Sequence, residues 1–149
     1  MATLILMVGF IGLIEAVTVT TNTMEHARRQ TLAAQILNHE IEELYLASWS
    51  TISGLPTTST ALTIDSDFDE AREALGDDRT ANAVVRFSLS RTVTSPNPVT
   101  NVREVNFTVT WVVSTSRRDS SGNQVTFTHR RSSSAWYGRY GLPLSYQQS

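Results

Sequence analysis

Cysteine is absent from all 149 residues, which removes disulfides, thiolate nucleophiles and sulfur-ligated metals from consideration. Lysine is absent as well: the 12 basic residues are all arginine, and 14 acidic residues bring the net charge to -2. Neither a basic footprint for nucleic acid nor an acidic tail is present. No proline occurs before Pro56, so nothing of that kind interrupts the first third of the chain. A phosphate-cradling glycine loop and a Gly-x-Ser-x-Gly elbow are both missing, and His26, His39 and His129 lie far apart in the sequence. The expectation is a protein that is not an enzyme and carries no cofactor.

What is present begins with an uncharged apolar run from Ala2 to Ile14. Leu4, Ile5, Leu6, Val8, Phe10, Ile11, Leu13 and Ile14 put oily side chains on every side of a helix, a surface that needs lipid or a bundle of like helices. Gly9 and Gly12 are small enough to let another helix come close. The run passes without a breaker into an amphipathic segment in which Ala33, Leu37, Ile41 and Leu44 recur at helical spacing. One continuous helix is therefore predicted to about residue 52, stopping before Gly54 and Pro56. Residues 1–23 are its oily half and residues 24–52 its two-faced half.

The apolar run spans only ~20 Å at 1.5 Å per residue, short of the roughly 30 Å hydrocarbon core. The expectation is a sequence that starts late, with further residues upstream of Met1 completing the span and Glu15 marking where the helix leaves lipid.

Downstream, residues 53–82 read as a linker with a short helix over Asp67–Leu75, acidic at its start and ended by Gly76. From Ala83 the period changes to two. Val85, Phe87 and Leu89 share one strand face; Val105, Phe107, Val109, Trp111 and Val113 share the next; Val125, Phe127 and His129 continue it on a third strand to about Arg131. A polar hairpin loop over Ser116–Asn123 joins the last two. Phe87, Phe107, Trp111 and Phe127 are the predicted cover for the helix stripe. The predicted class is α+β: a long N-terminal helix packed against a small antiparallel sheet of three to four strands over residues 83–137, with a C-terminal tail over 138–149. The aromatic segment Ala135–Leu144 either packs its rings on the sheet edge or presents them to a neighbour.

Two patterns invite metal. His39-Glu-Ile-Glu-Glu43 imitates a zinc-protease helix but has glutamate where the second histidine is needed. Asp65, Asp67 and Asp69 alternate as calcium ligands do, but Glu70 stands where glycine is required and Gly76 where a bidentate glutamate is required. The three aspartates are retained as a calcium candidate, with capping of the short helix as the competing assignment.

The stretch Ala27-Arg-Arg-Gln-Thr-Leu-Ala-Ala-Gln-Ile-Leu-Asn-His-Glu-Ile-Glu-Glu-Leu44, following Gly9-Phe10-Ile11-Gly12-Leu13-Ile14-Glu15, resembles the type IV pilin-like family, which includes minor pilins and the pseudopilins of type II secretion. It departs from that family's pattern in that Glu15 is sixth rather than fifth after the glycine, and no basic leader lies within Met1–Gly9. The resemblance implies a non-enzymatic subunit that assembles through its N-terminal helix into a type IV pilus or a type II secretion pseudopilus. Its implied partners are other pilin-like subunits. Its implied place is the inner membrane as a single-pass protein with a periplasmic C-terminal domain, then the filament. A second reading keeps the same helix as a mere tether for a binding module.

Overall fold

The computed structural model describes residues 2–77, 84–95 and 101–140, and within its first helix the side chains of Leu4, Ile5, Leu6, Val8 and Ile11 lie outside that description. Helix α1 runs Ala2–Leu46 without interruption. Its threonines, poor helix formers when left to themselves, bond back to the preceding turn: Thr20 Oγ1 donates to the Ala16 carbonyl at 2.8 Å and Thr31 Oγ1 to that of Ala27 at 3.0 Å. Arg29 and Glu25 add an exposed pair one turn apart, at 3.0 Å.

The helix does not reach residue 52, and this corrects the predicted boundary. Ser48 takes an extended conformation and its side chain accepts from the Thr51 N–H, opening a separate helix α2 over Trp49–Ser53. A serine able to cap offers the backbone an alternative to continued helix, which the apolar periodicity of Tyr45, Leu46 and Trp49 concealed.

Among the described residues four strands follow: β1 (Thr60–Leu62), β2 (Val85–Thr94), β3 (Val102–Arg118) and β4 (Gln124–Gly138), separated after β1 by a 3₁₀ turn (Ser66–Phe68) and helix α3 (Asp69–Glu73). All pair antiparallel in the order β1-β2-β3-β4. The register sets Phe87 opposite Trp111 and His129, Leu89 opposite Val109 and Arg131, and Val93 opposite Val105 and Ala135. Because side chains alternate, this one register sends the apolar set to a single face and leaves Ser88, Ser90, Thr108, Thr110 and Ser132 on the other. Across that outer face the Thr108 and Ser132 hydroxyls meet at 3.0 Å.

These proportions overturn the predicted class. The molecule is not a long helix on a small sheet: β3 has 17 residues and β4 has 15, and the helical segment laid against the sheet is only about 24 residues, from Thr23 to Leu46. Three predicted boundaries concealed this. β1 was read as linker, since three residues are too short to show a period. β3 continues past Val113 to Arg118, and the loop shrinks to a tight turn in which Asp119 Oδ1 accepts from the Ser121 and Asn123 N–H groups and Gly122 supplies a positive φ. β4 continues past Arg131 to Gly138, taking in Trp136 and Tyr137 of the aromatic segment.

The core lies between α1 and the inner face of the sheet. Leu32, Ala33, Ile36, Leu37 and Leu44 pack with Val85, Phe87, Leu89, Val93, Val105, Phe107, Val109 and Trp111. Each fully buried aliphatic or aromatic side chain here contributes roughly 1.5–3 kcal/mol. Ile41 is partly buried at the margin. Phe127 is a correction: it faces inward opposite Val113 but is 55% exposed, because β4 is an edge strand and its first residues run past the buried part of the helix, which starts at Leu32.

The exposed flank of β2 is closed by a side chain instead of a strand. β1 pairs with β2 only through Leu89–Arg91, so the Phe87 N–H donates to Asp77 Oδ2 at 3.1 Å. The same oxygen accepts from Arg72 Nε at 3.0 Å and Nη2 at 2.7 Å. A buried carboxylate with a guanidinium and an amide on it is satisfied, and it fastens α3 to the sheet.

Candidate functional site

Two regions carry the residues singled out by the sequence, and they differ in what surrounds them. The first is the N-terminal part of α1. Every described side chain there before His26 is exposed, including Met7 at 70%, Phe10 at 65% and Leu13 at 66%, with Ile14 and Val17 also exposed. The helix meets β3 and β4, yet its described buried residues begin only at Leu32. Residues 2–25 thus form an arm roughly 35 Å long, at 1.5 Å per residue, whose described side chains are exposed. Isolated exposed apolar side chains are ordinary; a helical arm carrying them on successive turns is a surface for something else to cover.

Comparison with family models, curated proteins and solved structures finds no match.

Among the described residues no helix is long and apolar enough to cross a membrane, which gives no support to the single-pass placement that the resemblance implied. The arm is oily on its described faces but short, and Glu15 and the threonines that follow dilute it.

The second region is where α1 meets the segment after β1. His39 and Glu43, one turn apart on α1, face Asp65, which caps the 3₁₀ turn. His39 Nε2 lies 3.6 Å from Asp65 Oδ2 and 3.9 Å from Glu43 Oε1. Asp65 divides its two oxygens: Oδ1 accepts from the Asp67 N–H at 2.8 Å and from Ser66 Oγ at 3.4 Å, leaving Oδ2 toward His39. The Asp67 amide holds the Asp65 pKa below its usual value, so this carboxylate stays ionised. Nearby Glu40 is pushed the other way, first by burial and then by the charge of Glu43. The Phe68 ring stands edge-on to the His39 imidazole at 5.5 Å.

The calcium candidate does not assemble. Asp65 and Asp67 are tied to one another through the cap, and Asp69 Oδ1 accepts from Arg72 Nη1 at 3.4 Å, so the three carboxylates do not converge. Alternation along a sequence brings ligands together only in a loop that folds around an ion; here the residues start a helix. The sequence had placed the histidines apart, but His26 and His129 touch, with ring centroids 4.8 Å apart, and His129 stacks on Trp111 at 5.4 Å. Burial, followed by the charges of His26 and Arg29, lowers the His129 pKa. Gln30 Nε2 and His26 Nε2, one turn apart on α1, are 3.0 Å apart, and the His26–His129 ring contact joins α1 to β4. Two further bonds pin the same elements: Arg131 Nη1 donates to the Gln30 carbonyl at 3.4 Å, and the Tyr137 hydroxyl to that of Ala47.

Proposed function

We propose that the chain is a non-enzymatic subunit that assembles with other subunits through the N-terminal part of α1, in the manner of the minor pilins and pseudopilins that its helix sequence resembles. One observation supports this reading above the others: the apolar arm extends beyond the sheet, and its described side chains are exposed. Such a surface is stable in water only when covered, and like helices with Gly9 and Gly12 at close approach would cover it. The inner membrane is where the arm would wait before assembly, with the sheet outside it. The sheet would then display its loops on the filament.

The absence of cysteine makes the test direct. Phe10→Cys and Leu13→Cys, placed singly in the full chain and oxidised in cells, should give disulfide-linked species containing this subunit, and Phe10→Asp should prevent its incorporation into filaments. Normal incorporation of Phe10→Asp, together with normal behaviour of a chain whose apolar residues are scrambled, would leave the helix as a tether and overturn the proposal.

A further inference from the structure

His39-Glu-Ile-Glu-Glu43 fails as a protease motif, but the fold supplies from elsewhere a ligand that the helix lacks. His39 and Glu43 lie one helical turn apart, and the chain returns after β1 to set Asp65 against both. The His39 Nε2, Glu43 Oε1 and Asp65 Oδ2 atoms all lie within 4.8 Å of one another. The individual separations of 3.6 and 3.9 Å are too long for hydrogen bonds. Nε2 is wholly covered by protein and has no hydrogen-bond partner. A covered ring nitrogen left without a partner, facing two carboxylate oxygens, is an unfilled bonding position.

The spacing matches one kind of occupant. Nitrogen and oxygen donors about 2.0–2.2 Å from a tetrahedral ion stand about 3.3–3.5 Å from one another, so the two histidine separations need to close by a few tenths of an ångström, and the carboxylate pair by up to about 1.4 Å, to meet around a common centre. Calcium fits poorly, because it takes six to eight oxygen ligands at longer range. One imidazole and two carboxylates, with a water in the fourth position, suit zinc.

We infer that His39, Glu43 and Asp65 bind a divalent transition metal ion, zinc foremost, that clips the segment after β1 to α1. The surroundings serve this role. The Asp67 amide and the Ser66 hydroxyl hold the Asp65 oxygen that does not face His39, orienting the one that does. The Phe68 edge fixes the plane of the imidazole.

The experiment is a zinc titration of the full chain in detergent after chelator treatment, read by calorimetry, by the melting temperature and, with cobalt substituted, by the ligand-field absorption of the site. The expected result is one ion per chain, a melting temperature that rises with zinc, and no displacement by calcium. His39→Ala and Asp65→Asn should each weaken binding by more than the roughly 10–100-fold that loss of an outer partner costs, and Glu43→Gln should weaken it too. His129→Gln, at the other histidine contact, should leave it unchanged. His39→Gln keeps bulk beside Phe68 should the alanine variant unfold. No saturable zinc binding by the wild-type chain, or equal binding by His39→Gln and Asp65→Asn, overturns the inference.

Discussion

His129 occupies an edge strand, but Trp111 lies flat against it and His26 approaches from the helix, so its ring is partly removed from water. Burial, then the charges of His26 and Arg29, lowers its pKa from the usual value of 6.5. The folded state therefore binds fewer protons than the unfolded state across that interval. This contribution to stability is complete above pH 6.5 and is lost as the pH falls through the depressed folded value. Urea denaturation of the wild-type chain should show stability declining below that pH, and His129→Phe should flatten the decline. The contact was hidden in the sequence because His26 and His129 are separated by the whole sheet, and neither neighbourhood signals the other. Asp77 was hidden for a similar reason: its partners, Arg72 and the Phe87 N–H, lie on different elements, and an aspartate after a glycine reads as turn. By contrast, Ala33, Leu37, Leu44, Phe87, Phe107 and Trp111 were legible, because a repeat of 3.6 or 2 needs no distant information.

The join between α3 and β2 rests on a conformation. Gly76 has φ +93°, and from there the Asp77 N–H returns to the Arg72 carbonyl at 3.0 Å while the Val85 N–H donates to the Gly76 carbonyl at 3.2 Å. A Cβ at Gly76 would meet Val85 Cγ2 at 3.6 Å, ordinary van der Waals contact, so space is available and only the backbone objects. Gly76→Ala should therefore destabilise the chain by about 1–2 kcal/mol, the cost of forcing an L-residue into the left-handed region, measured by denaturant midpoint. The glycine was legible as a helix stop. The ends of the strands were not, because Ser132–Ser134 has no apolar alternation and joins β4 through ladder bonds and through polar pairing with Asn106 and Thr108 on the outer face. Ser48 likewise reads as one more polar residue until its hydroxyl is seen to cap α2.

For the molecule as a whole, arm and body are energetically separate. The described buried residues of α1 begin at Leu32, and the core they form with the sheet lies C-terminal to the arm. Removing residues 1–23 should leave the melting temperature of the body within a few degrees of the full chain's and, on the proposed role of the arm, give a body that elutes as a monomer without detergent; thermal circular dichroism and gel filtration check both. The apolar run and the stripe behind it showed in the sequence that one helix has two environments. The extent of the sheet could not be read there, since the added strand length is polar and is held by backbone pairing.

Because α1 passes from arm to body with no proline and no described break, the two are geared together. One inserted residue between Thr20 and Met24 would turn the oily face about 100° relative to the sheet, whereas removing two full turns, about seven residues, would restore its heading with a shorter reach. Whatever grips the arm thereby dictates which way the strands face, like a key whose bow cannot turn without its blade.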